Sequence, residues 1–263
     1  MKGREICEAL RNGRRVYGTR IVAPSSVWLP AVRNAGIDFV FVDTEHPPLD
    51  RVIVSWMCGL YREAGLPPIV RIPSPDPHEA RKVLDGGAVG VIAPYVETAE
   101  EVRDLVGAVK LRPLKGKRLA AALKNPETLE PELEEYLDKR NADNVLIVNI
   151  ESVPAMEKLD AILGVRGLDA VLIGPHDLSC SLGIPEQYDS PQFDRAVQKI
   201  IKKARAKGVG AGIHFSAGID LEIQWAKAGG NLILHSSDVT LFGQTLKSDI
   251  AEMRHALGDD RQA

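Results

Sequence analysis

The feature that most constrains this chain is a regular alternation of short apolar runs and longer helical patterns. Eight runs are rich in Val and Ile and almost continuously apolar, which is typical of strands buried on both faces of a parallel sheet. The predicted strands are Val16–Val22, Asp38–Asp43, Pro68–Ile72, Gly90–Pro94, Val145–Glu151, Ala170–Pro175, Val209–Phe215 and Asn231–Ser236. Between them lie helical segments such as TAEEVRDLVGAVK, which opens with threonine and acids in its first turn.

This alternation predicts an α/β fold. Eight strand–helix pairs in a chain of 263 residues favour a (β/α)8 TIM barrel, formed as one domain over residues 1–263. A doubly wound parallel sheet is the alternative. The interval from about 111 to 144 does not fit the alternation, since it holds a basic turn, PLKGKR, and then an acidic helical stretch, PETLEPELEEYLDKR. We interpret it as an excursion that covers the barrel mouth or forms a subunit contact.

The charge and the cysteine content limit the expected binding partners and the expected cellular compartment. A formal net charge of −3 gives no reason to expect nucleic acid or an anionic membrane as partner. Three widely separated cysteines, Cys7, Cys58 and Cys180, suit a reducing cytosol better than a disulfide framework. The N-terminus has no apolar signal region, and no apolar run approaches the roughly 20 residues of a membrane helix. We therefore expect a soluble cytoplasmic protein that binds neither nucleic acid nor a membrane.

Ionisable side chains stand where barrel enzymes place their chemistry, at the C-terminal ends of the strands. The segment FVFVDTEHPPLD, residues 39–50, runs from four apolar residues straight into Asp43, Glu45 and His46. A loop of serine and glycine would have a much lower desolvation cost, so this segment indicates the rim of an active site. Further residues near predicted strand ends are Arg71, Glu151, His176, Asp177, His214 and His235.

Glu151 and Asp177 follow neighbouring predicted strands and are expected on the same rim. Two carboxylates beside an arginine make an oxygen-rich site, which suits Mg²⁺ or Mn²⁺ better than Zn²⁺. Two protein ligands leave positions for water and a chelating substrate. The alternative is structural: Glu151 caps the following helix and Asp177 is a helix N-cap, because acids favour helix starts.

Arg71 and His46 are candidates for moving or stabilising charge. Arg71 stands in an otherwise apolar strand, and a buried cation needs a partner. It forms either a structural ion pair with Asp43 or a fixed cation that stabilises negative charge developing on an oxygen. His46, close to Asp43, resembles an imidazole oriented by an acid, which can move a proton near neutral pH. The alternative for His46 is a merely exposed loop histidine.

Several absences narrow the chemistry. No predicted strand carries a lysine, which argues against a Schiff base, so enolate chemistry here would use a metal ion. The sequence has no GxxxxGK[ST] loop and no GxGxxG after the first strand. We interpret GAGIHFSAG and HSSD as tight turns and a helix N-cap, with phosphate binding as the alternative. A histidine metal site is less favoured, because ligand-type spacing is absent from His176, His214 and His235.

Five segments carry a resemblance to a known family. They are FVFVDTEHPPLD, PIVRIPSPDP, VLDGGAVGVIAPYVETAEEV, VNIES and LDAVLIGPHDLSCSLGIP. Over about residues 16–242 the chain resembles the HpcH/HpaI aldolase family, metal-dependent class II pyruvate aldolases that include 2-dehydro-3-deoxy-sugar-acid aldolases. The resemblance implies a barrel whose C-terminal helix is exchanged between subunits of a homohexamer or other homo-oligomer with shared active sites.

The resemblance also implies roles for individual residues. Glu151 and Asp177 would bind a divalent metal, Mg²⁺, Mn²⁺ or Co²⁺, and Arg71 would neutralise the enolate oxygen of pyruvate. His46, oriented by Asp43, would serve a proton relay. The remaining implied site residues are Asp85, which would reach the neighbouring subunit's site, and, for substrate binding, Asn149, Gly174, Pro175, His176 and His214.

The chain departs from the family pattern mainly near the second substrate. Asn149 stands where many members have glutamine, His176 and His214–Phe215 replace smaller residues, and Leu119 stands where glycine is usual. The implied reaction is reversible cleavage of a 4-hydroxy-2-oxo acid to pyruvate and an aldehyde through a pyruvate enolate. The alternative is a related metal-dependent lyase or decarboxylase acting on a 2-oxo acid or an acyl-CoA. A non-enzymatic metal-binding barrel is a third hypothesis.

Overall fold

The computed structural model describes residues 1–259 and contains a closed barrel of eight parallel strands. Each strand pairs with the next in the chain, and β8 pairs with β1. The predicted TIM barrel is therefore confirmed, and the doubly wound alternative is wrong, because such a sheet would keep two open edges. The strands are β1 Val16–Ile21, β2 Phe39–Asp43, β3 Pro68–Arg71, β4 Gly90–Ala93, β5 Val145–Ile150, β6 Ala170–Ile173, β7 Gly210–Phe215 and β8 Leu232–Ser237.

Helices surround the barrel and alternate with its strands. They are α1 Gly3–Arg11, α2 Trp28–Asn34, α3 Arg51–Glu63, α4 Pro77–Asp85, α5 Ala99–Val109, α6 Gly116–Lys124, α7 Pro131–Asn141, α8 Val153–Glu157, α9 Leu159–Leu163, α10 Pro175–Ser181, α11 Pro191–Ala206, α12 Ile219–Lys227 and α13 Asp238–Leu257, with a 3₁₀ turn at Pro126–Thr128. Local signals explain their starts. Thr98, for example, forms a capping box with Glu101 at the start of α5.

Strand alternation separates an inner core from an outer one. In β2, Phe39 and Phe41 pack in the barrel interior, whereas Val40 and Val42 pack between strands and helices. Because side chains alternate with a period of two, Asp43 points into the barrel like Phe41. It lies at the C-terminal end of β2, where the barrel interior is open. Helix α1 closes the other end, where its Ile6 and Leu10 are fully buried.

The excursion at 111–144 lies at the closed end of the barrel. Its helices α6 and α7 follow α5 and precede β5, so both of its ends are on the side where strands begin. The ends are joined by the Asn141 amide, which donates to the Arg112 carbonyl at 2.9 Å, while Asp143 accepts from the backbone N–H of Arg4 in α1. The prediction that it covers the mouth is wrong. The subunit contact stays a prediction.

Helix α13 leaves an apolar face without cover in the single chain. Its exposed apolar side chains are Val239, Leu241, Phe242, Leu246, Ile250, Met253 and Leu257. On the outer face of β1, Tyr17 is also exposed. Exchange of this helix between subunits stays a prediction here. Over residues 1–259, helices long and apolar enough to span a bilayer are absent.

Candidate active site

The predicted rim is a real cavity at the C-terminal end of the barrel. It has a volume of about 360 Å³. Six strands or their following loops bring side chains together there, namely Arg20, His46, Arg71, Asn149, Asp177 and His214. The position fits the rule that barrel enzymes work where their strands end.

Arg71 is the centre of the charged network. Strand register places Asp43 directly beside it. Its Nε and Nη2 donate to the Asp43 oxygens at 2.8 and 2.7 Å, and its Nη1 lies 3.0 Å from Glu45 Oε2. Its guanidinium carbon lies 5.3 Å from the centre of the Phe41 ring. The expected ion pair with Asp43 is thus present, and it fixes the guanidinium at the cavity wall.

The pair shifts both pKa values toward the charged forms. Burial by itself would raise the pKa of Asp43, but the hydrogen bonds and charge of Arg71 outweigh it, and the pKa is lowered. Burial would likewise lower the pKa of Arg71, yet the hydrogen bond and charge of Asp43, with the charges of Glu45 and Glu151, raise it. Arg71 is therefore a permanent cation in the site.

The expected orientation of His46 by Asp43 is wrong within this chain. Both Asp43 oxygens are bound by Arg71, and Oδ2 also lies 3.3 Å from Arg20 Nη1. The His46 side chain is 60% exposed, and its Nε2 lies 3.9 Å from Glu45 Oε2. The physical reason is that two arginines outcompete an exposed imidazole for one buried carboxylate.

Glu151 and Asp177 meet around Gly174. A Cβ atom at position 174 would lie 2.6 Å from Glu151 Oε2 and 3.6 Å from Asp177 Oδ2, so glycine leaves the space between the two carboxylates open. The capping alternatives are wrong, because the N-caps of α8 and α10 are Ser152 and Gly174.

The donor set fits a hard divalent cation. Glu151 Oε1 accepts from the Tyr95 backbone N–H at 2.6 Å, and Oε2 accepts from the Asn149 amide at 2.8 Å. These bonds fix the position of the carboxylate beside Gly174. Burial raises the pKa of Glu151, the two hydrogen bonds lower it, and the charges of Asp177 and Glu45 raise it further, with a net rise. Converging carboxylates of this kind are stabilised by a bound cation. Within residues 1–259, no group of three or more His, Cys, Asp or Glu side chains is placed to hold a metal ion.

Tyr95 and Glu45 belong to the site but were not assigned roles from sequence. Tyr95 follows β4 with a φ of 57°, a left-handed conformation that is rare outside glycine and often marks function. This conformation points its N–H at Glu151. Hydrogen bonding to Glu45 raises the pKa of the Tyr95 hydroxyl to about 12, with burial and nearby carboxylates adding to the rise. The sequence could have indicated Tyr95, because it lies just beyond the end of a predicted strand.

The other predicted histidines divide into three environments. His214 Nε2 lies 2.9 Å from the Ser236 carbonyl oxygen, and its ring packs edge-on to Phe41. Burial lowers its pKa to about 4, with the charges of Arg20 and Arg71 acting in the same direction. His176 is exposed at the cavity rim, and its Nδ1 lies 3.6 Å from Glu186 Oε1. The Nδ1 atom of His235 lies 2.6 Å from Glu222 Oε2.

Two further predictions are settled by position. In its own chain Asp85 lies at the end of α4, exposed and ion-paired with Arg112, so it is not part of this cavity. The HSSD segment forms the N-cap of α13, since Ser237 Oγ accepts from the Thr240 N–H at 3.2 Å. Asp238 accepts from the backbone N–H groups of Val22 and Ala23, so this segment serves the fold.

Known proteins are similar to this chain in sequence and in fold. A family model described as HpcH/HpaI aldolase/citrate lyase matches residues 25–244. A 2-keto-3-deoxy-L-rhamnonate aldolase of Salmonella gallinarum (strain 287/91 / NCTC 13346) is 32% identical over 245 residues, covering 93% of this chain and 91% of that protein. The solved HpcH/HpaI aldolase of Desulfitobacterium hafniense DCB-2 has a TM-score of 0.81 at 28% identity, covering 94% of this chain and 95% of that one. The solved citrate synthase SbnG has a TM-score of 0.81 at 29% identity, covering 97% and 98%.

Fold, site and relatives together define an enzyme of the lyase class built on a (β/α)8 barrel. The chain belongs to the HpcH/HpaI aldolase/citrate lyase family. The resemblance drawn from five sequence segments is confirmed, and so is the expected aldolase chemistry at the level of the family.

Proposed function

We propose that this enzyme reversibly cleaves a 4-hydroxy-2-oxo acid to pyruvate and an aldehyde, with Mg²⁺, Mn²⁺ or Co²⁺ held by Glu151 and Asp177. The observation that carries the proposal is the open space between these carboxylates at Gly174, facing the fixed cation Arg71. A divalent ion there would act as a Lewis acid that lowers the energy of negative charge on the 2-oxo group.

Arg71 has the main electrostatic role among the protein groups. Its guanidinium is held by Asp43 and Glu45 before any substrate arrives, so it needs no reorganisation when charge develops on the oxygen at C2. Preorganised donors of this type typically contribute about 2.7–4 kcal/mol each to the transition state.

His46 is proposed to move the proton. It lies on the loop after β2, at the cavity, and its side chain is 60% exposed. It takes the proton from the 4-hydroxyl group in the cleavage direction, which releases the aldehyde when the C3–C4 bond breaks. The acid that orients it is proposed to be Asp85 of a neighbouring subunit, because Asp43 is committed to arginines in this chain.

The segment Gly174–Pro175–His176 is proposed to hold the pyruvate carboxylate. It borders the cavity beside both metal-site carboxylates. Asn149 is proposed to support substrate binding on the neighbouring strand β5, since its Oδ1 is buried and has no hydrogen-bond partner within residues 1–259. A substrate O–H or a bound water can satisfy that oxygen.

The test combines binding and turnover. Titration with Mn²⁺, followed by electron paramagnetic resonance, should show one site in the wild type and none in Glu151→Gln. Glu157→Gln, an exposed change in the next helix, should bind normally. Pyruvate release from 4-hydroxy-2-oxo acids should be lost with EDTA and restored by Mg²⁺ or Mn²⁺. Full activity after rigorous metal removal would refute the proposal.

A second candidate function keeps the pyruvate half of the site and changes the other substrate. The similarity to citrate synthase SbnG, at 29% identity over 97% of this chain, favours oxaloacetate or an acyl-CoA thioester as the test case. A panel of aldehydes, oxaloacetate and CoA esters separates the two functions. Turnover of oxaloacetate or CoA esters without aldehyde activity would select the second.

Assembly as a homohexamer, with α13 exchanged between subunits, is proposed on two observations. The helix exposes a long apolar face, and Asp85 cannot reach the cavity of its own chain. Apolar faces of this extent are usually covered by a partner. Light scattering of wild type and of Phe242→Glu should give a hexamer and a smaller species respectively.

A further inference from the structure

We propose that Arg20 selects aldehydes that carry a carboxylate, so that the enzyme joins pyruvate to an anionic aldehyde. The proposal rests on the aldolase function above and adds the chemical class of the second substrate. Arg20 lies on β1, the strand opposite β5 and its Glu151 in the barrel.

Topology places Arg20 across the cavity from Glu151. In a closed ring of eight strands in sequential order, β1 is four strands from β5 in both directions. Arg20 follows Val16 and Gly18 on the inner face of β1 and lines the cavity near its end. A pyruvate held by Glu151, Asp177 and Arg71 would therefore leave the Arg20 side of the cavity for the second substrate.

The guanidinium of Arg20 is incompletely paired. Its Nη1 lies 3.3 Å from Asp43 Oδ2, an oxygen that Arg71 already binds at 2.7 Å. Its Nε is buried and has no hydrogen-bond partner within residues 1–259. The side chain is 23% exposed. A carboxylate entering the cavity would give Arg20 the charge-assisted partner that the shared Asp43 does not fully supply.

The other groups on this side of the cavity do not compete for an anion. Thr240 and Gln244 are neutral, and buried His214 has its pKa lowered to about 4, so it is uncharged at neutral pH. Arg71 is committed to Asp43 and Glu45. Among the arginines that line the cavity within residues 1–259, Arg20 is thus the one with an unpaired N–H, so it is available to a second substrate that carries a carboxylate. A neutral polyhydroxy aldehyde would use the hydroxyl and amide groups instead.

The reaction itself needs no additional reagent. In the direction of synthesis, a proton leaves C3 of pyruvate, the C3 electron pair forms a bond to the aldehyde carbon, and the carbonyl oxygen takes up a proton. The distal carboxylate keeps all its bonds. Arg20 therefore acts on the binding and orientation of the aldehyde, as a specificity-determining residue.

The test compares size-matched charged and neutral aldehydes. For each enzyme, kcat/KM with pyruvate is measured for glyoxylate against glycolaldehyde and for 4-oxobutanoate against butanal. The wild type should favour the charged member of at least one pair. Arg20→Gln should reduce that charged-to-neutral ratio about 10- to 100-fold, the range of a charged hydrogen bond. Arg20→Lys, which keeps the charge, should retain part of the preference. Arg33→Gln, an exposed change on α2, should leave the ratio as in wild type.

Two results would overturn the proposal. One is an equal ratio in wild type and folded Arg20→Gln. The other, which needs no variant, is a wild type that favours the neutral member of both pairs. Deuterium exchange at C3 of pyruvate, followed by NMR, separates this failure from that of the aldolase function. Exchange with unchanged ratios refutes only the role of Arg20, and absence of exchange with metal present refutes both.

Discussion

The same strands build two very different ends of the barrel interior. At the closed end Phe39 and Ile69 pack with Ile6 and Leu10 of α1, and all four are fully buried. At the open end the corresponding inward positions hold charged and polar groups, such as the Asp43–Arg71 pair. A step of two residues along a strand is thus enough to change the interior from an apolar plug to a reaction site.

The difference shows where stability and chemistry are separated. Apolar burial at the closed end is favourable without any specific partner. Buried charged and polar groups at the open end need partners, and hydrogen bonds are missing there at Arg20 Nε and Asn149 Oδ1. We conclude that the closed end stabilises the fold and that the open end keeps unsatisfied groups for ligands.

The largest expected effect is at the open end. Arg71→Ala should lower kcat about 10²–10³-fold, with a smaller change in KM, because the charge that Arg71 meets develops in the transition state. The measurement is steady-state pyruvate release. Arg103→Ala, an exposed change on α5, is the control. An unchanged kcat in Arg71→Ala would remove the distinction between the two ends.

The next effect is a pH dependence that originates at the open end. Because the folded-state pKa of His214 is lowered to about 4, the unfolded state binds more protons below about pH 6.5. Stability from this group is fully present above pH 6.5 and is lost as the pH falls toward 4, by up to about 3 kcal/mol.

Urea denaturation between pH 4 and 7 checks this dependence. His214→Gln should lose less stability over that range than wild type, whereas His78→Gln, an exposed change, should follow wild type. Parallel curves for wild type and His214→Gln would show that the acid sensitivity lies elsewhere.

The smallest expected effect is at the closed end of the barrel. Ile6→Val in α1 should lower the free energy of unfolding by about 0.5–1.5 kcal/mol, because it removes a buried methylene group. The kcat should stay at the wild-type value, since Ile6 lies at the opposite end of the barrel from the site. A fall in kcat without loss of stability would mean that the plug and the site are coupled.

The fold and much of the site could be predicted from the sequence. Continuous apolar runs marked all eight strands, with ends within two residues of those observed. Charged residues at or near the ends of those runs indicated Asp43, Arg71, Glu151 and Asp177 as candidates for the site. Arg20 near the end of β1 and Tyr95 just after β4 carry the same signal, but they are not among the residues predicted for the site.

Partner choice could not be predicted in the same way. Asp43 could have oriented His46, three positions along the chain, or paired with Arg71, and the sequence left both partners open. Strand register decided it by placing Arg71 directly beside Asp43, 28 positions along the chain. The excursion at 111–144 was misplaced for a related reason, because composition does not tell which end of a barrel a connection covers.

By itself, the sequence determined the alternation of buried strands and helices and the residue types available at the strand ends, because hydrophobic burial and backbone periodicity act over short stretches of chain. Only the tertiary structure decided which charges meet, which glycine leaves room between Glu151 and Asp177, and which guanidinium stays incompletely paired. Electrostatic pairing depends on distances of a few ångströms between residues far apart in the chain, and those distances exist only once the barrel has closed.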